Sequence, residues 1–259
     1  MSGLFDTHAH LNDDKYNEDR AQVISNLKNE GVELFVNIGD SIPSSFESVE
    51  LANNYSFIYA AVGVHPHFAD EFTSDDLSTI KKLAENKKVV AIGEIGLDYH
   101  YDDSERNNQK KCFRMQMELA KELNMPVVIH SREATQDTLE ILREFSEVTG
   151  IVHSFSGSPE TAQILTKMGY YLSFNGITTF KNAHRVKEVL LSVDKDRVLI
   201  ETDSPYLTPE PFRGRRNYPA YVKYVAKTIA ELWCMDEQEV IDITNKNGKT
   251  VYRIKKADA

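Results

Sequence analysis

The chain has 259 residues, 41% of them hydrophobic, and a formal net charge of −10. This is enough for one substantial core, so we expect a single domain over residues 1–259. The acidic balance argues against broad electrostatic adhesion to duplex DNA. No apolar run approaches the roughly 18 residues of a membrane span, no signal peptide is visible, and Cys112 and Cys234 are too isolated for a disulfide framework. A cytoplasmic location is therefore predicted.

Short apolar runs alternate with longer amphipathic segments along the whole chain. Most of the short runs are β-branched or aromatic, and several are apolar at every position, as in parallel strands covered on both faces. The predicted strands are Leu4–His8, Val32–Ile38, Ile58–Val62, Val89–Glu94, Val127–His130, Ile151–His153, Tyr170–Phe174 and Val198–Glu201. The predicted helices are Glu18–Glu30, Ser44–Asn54, Ser74–Glu85, Ser104–Asn124, Arg132–Ser146, Pro159–Met168, Ala183–Ser192, Ala220–Leu232 and, at the end, Asp236–Asn247.

Eight strand–helix units within about 250 residues are typical of a (β/α)8 barrel, the TIM barrel. A doubly wound open sheet is the alternative that the alternation leaves open. We expect the barrel, followed by an additional C-terminal helix. In such a barrel the chemistry belongs at the C-terminal ends of the strands.

Histidines and acids lie at or just beyond those predicted strand ends. Alternate strand residues point the same way, so His8 and His10 can present two imidazoles to one cation. Glu94 ends an apolar run, where a buried carboxylate needs either a cation or an ion pair with a lysine or arginine. Each residue alone could be an ordinary core histidine or turn acid, but their coincidence on one face favours metal binding. The predicted ligands are His8, His10, Glu94, His130, His153 and Asp203.

Six ligands exceed the three that one open tetrahedral ion requires. They suit two ions about 3.5–4 Å apart, with one carboxylate bridging them. We assign His8, His10, Glu94 and Asp203 to the first ion. Glu94, His130 and His153 are assigned to the second. Imidazole and carboxylate ligands accept Zn, Mn, Fe or Ni, whereas Mg is a poorer match to the histidines.

At this point the sequence resembles the TatD family of metal-dependent deoxyribonucleases, within the wider amidohydrolase-like barrels. The matching stretches are Phe5–Leu11, Gly63–His67, Gly93–Tyr99, His130–Arg132, His153–Gly157, Glu201–Leu207, Arg213–Asn217 and the terminal region Asn245–Tyr252. The resemblance implies a TIM barrel, a divalent-metal centre with the ligands assigned above, and hydrolase activity, often 3′-to-5′ exonuclease activity on DNA. Because Glu94 and no lysine ends the fourth strand, the sequence departs from the barrel hydrolases that bridge their ions with a carboxylated lysine.

The predicted reaction is phosphodiester hydrolysis by a water that two cations activate. Asp203 is the candidate general base, Glu94 bridges the ions, and His65 could bind a phosphoryl oxygen or protonate the leaving group. A C–N or ester hydrolase acting on a small amide or aminoacyl ester remains the alternative. A non-catalytic metal-binding protein is disfavoured because Glu94 and Asp203 are both present, and the loss of either would have favoured that alternative.

DNA, single-stranded or at a strand end, is the expected substrate, and no feature predicts a membrane or an obligate protein partner. Arg213, Arg215 and Arg216 follow the eighth strand, and guanidinium groups suit phosphate oxygens. The alternative is a solvated loop paired with Glu210 or other acids. Three aromatic residues could stack on a terminal base or simply pack in the barrel mouth: Tyr99, Phe155 and Tyr206.

Overall fold

The computed structural model describes residues 1–255 and contains one eight-stranded parallel sheet. The strands are β1 (Leu4–Ala9), β2 (Val32–Ile38), β3 (Ile58–Val62), β4 (Val89–Asp98), β5 (Val127–Arg132), β6 (Gly150–Val152), β7 (Tyr171–Phe174) and β8 (Val198–Ile200). Each strand pairs with its successor in the chain, in the order β1 to β8. A doubly wound sheet reverses its strand order, so this order rules that alternative out.

The sheet curves until β8 lies beside β1. The Asp203 backbone N–H donates to the His8 carbonyl at 2.9 Å. The Thr7 hydroxyl donates to the Ile200 carbonyl, also at 2.9 Å. These bonds join the first and last strands, and the result is a nearly closed TIM barrel, as predicted.

Helices follow the strands and surround the barrel. They are α1 (Arg20–Leu27), α2 (Ile42–Asn54), α3 (Ser74–Leu83), α4 (Arg106–Leu123), α5 (Thr135–Glu144), α6 (Pro159–Lys167), α7 (His184–Ser192), α8 (Val222–Trp233) and the additional C-terminal α9 (Glu237–Val251). Three of them, α2, α3 and α9, begin with reciprocal side-chain capping at Ser41, Thr73 and Asp236, which satisfies backbone N–H groups that the first turn leaves free.

Tertiary pairing moves several element boundaries from their predicted places. β4 continues past Glu94 because Asp98 pairs with Arg132 of β5. For the same reason α5 begins at Thr135 rather than at Arg132: Arg132 still belongs to the sheet, and Glu133 has a positive φ of 54° that no helix allows. α9 runs four residues beyond its predicted end.

The C-terminal segment closes the lower, N-terminal end of the barrel. Val251 and Tyr252 join a buried apolar cluster with alternate residues of the strands, such as Leu34 and Val36. The Tyr252 hydroxyl donates to the Thr7 carbonyl at 2.8 Å. At Gly248 of α9 a Cβ atom would lie 2.6 Å from the Phe5 ring, so only glycine lets the helix approach this closely.

The described residues contain no membrane helix, and the cysteine of α4 is buried. Within residues 1–255, no helix is long and apolar enough to cross a bilayer. Cys112 is buried in α4, and burial raises the pKa of its thiol to about 12. Cys112 therefore serves packing rather than nucleophilic chemistry.

Candidate metal centre

All six predicted ligands meet at the C-terminal mouth of the barrel. They are carried by β1 and the residue after it (His8, His10), by β4 (Glu94), by β5 (His130), by the residue after β6 (His153) and by the turn after β8 (Asp203). Five of the six, all but His8, line one cavity of about 690 Å³. His8 is fully buried beneath it.

The Glu94 carboxylate lies between two groups of imidazoles. Its Oε2 atom is 3.4 Å from His8 Nε2 and 3.8 Å from His10 Nε2. Its Oε1 atom is 3.0 Å from His130 Nδ1 and 2.7 Å from His153 Nε2. Each oxygen therefore faces a different pair of nitrogens, which is the arrangement a bridging carboxylate requires.

Asp203 completes the first group. Its Oδ1 atom lies 3.6 Å from His8 Nε2 and 3.5 Å from His10 Nε2. The preceding residue, Thr202, is anchored to β1 because its backbone N–H and hydroxyl both donate to the buried Asp6 carboxylate. Asp203 itself has a φ of 54°, a left-handed conformation that aspartate tolerates better than most residues.

The donor atoms of the first group have the spacing that a shared cation imposes. His8 Nε2 and His10 Nε2 are 3.2 Å apart, and the other distances given above run from 3.4 to 3.8 Å. Ligands at about 2.0–2.2 Å from a tetrahedral ion are separated by about 3.3–3.6 Å. Imidazole nitrogens with carboxylate oxygens are also the donor set that zinc and neighbouring transition metals prefer. The residues present fit a metal ion.

Without a cation, the histidines and carboxylates of the centre interact through hydrogen bonds and opposite charges. Burial alone would raise the pKa of Glu94, but the positive charges of His153 and His8 and the hydrogen bond from His130 hold that pKa well below its usual range. Burial would likewise lower the pKa of His10, yet its hydrogen bond to Asp203 and the nearby negative charges raise the pKa to about 9. Metal binding must displace such protons, because only neutral imidazole is a ligand.

His65 contacts the second group of donors. Its Nε2 atom is 3.6 Å from Glu94 Oε1, and the Asp40 carbonyl holds its backbone N–H at 2.8 Å. Burial, reinforced by the charge of His130, lowers the pKa of His65 well below its usual value. His65 is therefore neutral and could act as a further ligand. The substrate-binding or proton-donating role expected for it stays a prediction.

Two buried carboxylates that the sequence did not single out support the histidines. Asp98 Oδ2 lies 3.0 Å from His130 Nε2, on the side of that ring opposite to Glu94. Glu201 Oε1 lies 3.5 Å from His153 Nδ1 and accepts the Ser154 backbone N–H. Such outer carboxylates fix the tautomer and orientation of ligating imidazoles. The even spacing of Asp98 from Glu94 along one strand was a usable signal.

The three predicted phosphate-binding arginines lie outside the residues that line the cavity. Arg216 pairs with the Asp19 carboxylate and donates to the Tyr218 hydroxyl, and Arg213 stacks at 4.4 Å over the Phe180 ring. Their phosphate role stays a prediction. The arginine that does line the cavity is Arg132, which the sequence did not single out for this purpose.

Exposed aromatic rings stand on the cavity rim. Tyr206, predicted from the sequence, is 44% exposed, and Phe68 and Tyr101, which were not predicted, are 44% and 57% exposed. Phe155 is buried, and the Tyr99 hydroxyl donates to Asp137 at 2.5 Å. The guanidinium of Arg132 lies 4.7 Å from the centre of the Tyr101 ring.

Comparison with known proteins places this centre in context. A family model described as "TatD related DNase" matches residues 5–253. The uncharacterized metal-dependent hydrolase YabD of Bacillus subtilis (strain 168) is 52% identical, over 97% of this chain and 99% of its own length. The 3′-5′ ssDNA/RNA exonuclease TatD of Rahnella sp. (strain Y9602) is 30% identical, over 97% and 98%. The crystal structure of YjjV, a TatD homologue from Escherichia coli K12, aligns with a TM-score of 0.91 and 27% identity, over 97% and 98%.

Proposed function

Because the chain belongs to the TatD-related DNase family of metal-dependent hydrolases, we propose that it is a phosphodiesterase that removes nucleotides from the 3′ end of single-stranded DNA. The observation that carries the proposal is the Glu94 carboxylate, whose two oxygens face separate imidazole groups at the barrel mouth. His8, His10 and Asp203 would hold one divalent cation and His130 and His153 a second, with Glu94 between the two groups. The cytoplasmic location expected from the sequence remains a prediction.

Two cations, when bound, would lower the pKa of water and offset the charge that develops on the phosphoryl oxygens. The protein groups around them have distinct tasks. Asp203 is ionised, because the hydrogen bond from His10 and the charges of His8 and His153 outweigh burial and lower its pKa. It can therefore accept the proton that the attacking water loses. Asp98 and Glu201 hold the rings of His130 and His153 in place.

The cavity rim supports a single-stranded substrate. Arg132 offers a guanidinium that can bind a phosphate oxygen. Phe68, Tyr101 and Tyr206 present exposed rings on which unpaired bases can stack, and such stacking is largely independent of sequence. Duplex DNA would bury its bases away from these rings. The name of the Rahnella relative, an exonuclease of ssDNA and RNA, agrees with this substrate class.

A small amide or ester is the second candidate substrate, and the charge of the cavity favours it. Apart from the carboxylates assigned to the metal centre, Asp13, Asp40 and Asp98 also line the cavity, against a single arginine. This acidic lining repels a polyanion unless cations are bound. A neutral or cationic substrate would meet no such barrier.

The test compares nucleic acid with amide substrates on the metal-replete protein. End-labelled single-stranded DNA is incubated with the protein and Mn²⁺, Zn²⁺ or Mg²⁺, beside duplex DNA and a panel of small amides and esters. We expect a ladder shortened from the 3′ end, abolished by chelation and by Glu94→Gln. Glu118→Gln, an exposed glutamate on α4, is the matched control and should cleave like the wild type.

Two results would decide against the proposal. Rapid amide or ester cleavage with intact DNA would replace the phosphodiesterase by the second candidate. A Glu94→Gln variant that binds two equivalents of metal and degrades DNA at the wild-type rate would remove the bridging role on which the proposal rests.

A further inference from the structure

A second cavity adjoins the metal centre on the side of α5, α6 and α7. Its volume is about 360 Å³, within the range of sites that hold small organic groups. It shares three lining residues with the metal cavity, Ser131, His153 and Ser156. A ligand bound at the metals can therefore extend into it across these residues. We call it the side cavity.

The walls of the side cavity combine apolar and hydroxyl-bearing surfaces. Leu139, Val152 and Phe155 supply apolar contacts, whereas Ser158 and Thr161 supply hydroxyl groups. A nucleoside has the same composition, an apolar ring face joined to a polar sugar. The size and lining thus suit one nucleotide unit rather than a purely polar or purely apolar ligand.

Arg185, near the start of α7, is the arginine that lines the side cavity. Glu133 is the carboxylate among the lining residues, and its Oε1 atom is 2.8 Å from His100 Nδ1. Within residues 1–255, Arg185 forms neither an ion pair nor a hydrogen bond through its guanidinium. An arginine left without a protein partner beside such a cavity is available to an anionic ligand, and its fork matches phosphate oxygens.

We propose that the side cavity binds the nucleotide next to the scissile bond, and that Arg185 binds the distal phosphate of that nucleotide. Arg132 then contacts the scissile phosphate at the metal centre, so the strand runs from β5 towards α7 rather than towards the loop of Arg213. The inference rests on the proposed phosphodiesterase function and specifies its substrate: a chain with a second phosphate one nucleotide away from the cleaved one.

Thymidine dinucleotides that differ by one phosphate test this arrangement directly. The compounds are d(TpT), its 5′-phosphorylated form d(pTpT) and its 3′-phosphorylated form d(TpTp). We expect the wild type to prefer one phosphorylated form over d(TpT) by about tenfold in kcat/KM, mainly through KM, as one charge-assisted contact gives. The preferred isomer reports which neighbour occupies the side cavity. Arg185→Ala should lose the preference, and Arg185→Lys should recover part of it.

Two further arginines serve as controls. Arg143→Ala removes an exposed arginine of α5 that lines neither cavity, and it should keep the wild-type preference. Arg132→Ala should slow cleavage of all three dinucleotides while keeping the ratio between them. Circular dichroism and thermal unfolding report whether each variant is folded.

Binding separates failure of this inference from failure of the proposed function. Calorimetric titration of the metal-loaded protein with non-hydrolysable analogues of d(TpT) and of the preferred isomer should show the same Arg185-dependent difference without any turnover. If the wild type cleaves dinucleotides but Arg185→Ala retains the full preference, the inference is overturned while the function stands. If no dinucleotide is cleaved yet binding still depends on Arg185, the proposed function fails and the phosphate site remains.

Discussion

The two ends of the barrel bury residues of opposite kinds. At the mouth, His8, Glu94 and Asp98 are 1%, 3% and 0% exposed. Glu94 is paired with imidazoles and Asp98 with His130, whereas His8 Nδ1 has no hydrogen-bond partner among residues 1–255. At the N-terminal end of the barrel, which we call the base of the barrel, the rings of Phe5 and Tyr252 pack together, and the Tyr252 hydroxyl donates to the Thr7 carbonyl. Burying charges is unfavourable unless each has a partner, whereas burying rings is favourable by itself. The base therefore stabilises the fold, and the mouth is arranged for binding.

The largest effect on stability is expected when the packing at the base of the barrel is disrupted. Tyr252→Ala removes a buried ring and its hydrogen bond, and should lower the free energy of unfolding by about 3–5 kcal/mol. Tyr252→Phe removes only the hydroxyl and should cost about 0.5–1.5 kcal/mol. Denaturant unfolding measures both. The amount of metal bound per folded molecule should stay the same in both variants. If metal binding fell in proportion to stability, the base and the mouth would not have the separate roles described above.

Asp98→Asn is the corresponding change at the mouth. It preserves the size of the side chain but removes the charge that orients the His130 ring, so metal affinity or activity should fall by about 10–100-fold. Metal titration and DNA cleavage measure the two quantities. The unfolding free energy of the metal-free protein should change far less than in Tyr252→Ala. An unaltered metal affinity would show that Asp98 has no role in positioning His130.

The acidity of the solution should affect the two ends differently. The pKa of His10 is about 9 in the metal-free folded protein against its ordinary value of 6.5. At pH 7 a cation must therefore displace its proton, and affinity should rise by about tenfold per pH unit for each proton released, levelling off above about pH 9. Calorimetry in buffers of different ionisation enthalpy counts the released protons. Buffer-independent heats would contradict the prediction.

The same raised pKa has a consequence for the stability of the metal-free chain. The pairing of protonated His10 with Asp203 stabilises the fold fully below pH 6.5. This stabilisation is lost as the pH rises through about 9, because His10 then releases its proton. The difference in unfolding free energy between the wild type and Tyr252→Phe should stay constant over that interval. Unfolding curves at pH 6 and pH 9 compare the two trends.

The alternation of apolar runs and amphipathic segments predicted the strand positions and the additional C-terminal helix. It favoured a barrel but left a doubly wound sheet open, and the family resemblance also implied the barrel. It also placed the six ligands at strand ends, because parallel strands of a barrel all finish at one mouth. Periodicity is a local property that each segment carries by itself. For the same reason it could not predict that β4 continues to Asp98, since that extension depends on pairing with Arg132 of β5.

Contacts between distant segments were decided only by the tertiary structure. Curvature of the sheet brings Asp98 within hydrogen-bond range of His130 and places Glu201 at an ion-pair distance of 3.5 Å from His153. Arg216 follows the eighth strand as expected, yet Asp19, 197 residues away along the chain, holds its guanidinium. The sequence alone shows which side chains can carry charge. Which of those charges are neutralised, and which face a cavity, depends on the packing of all eight strand–helix units.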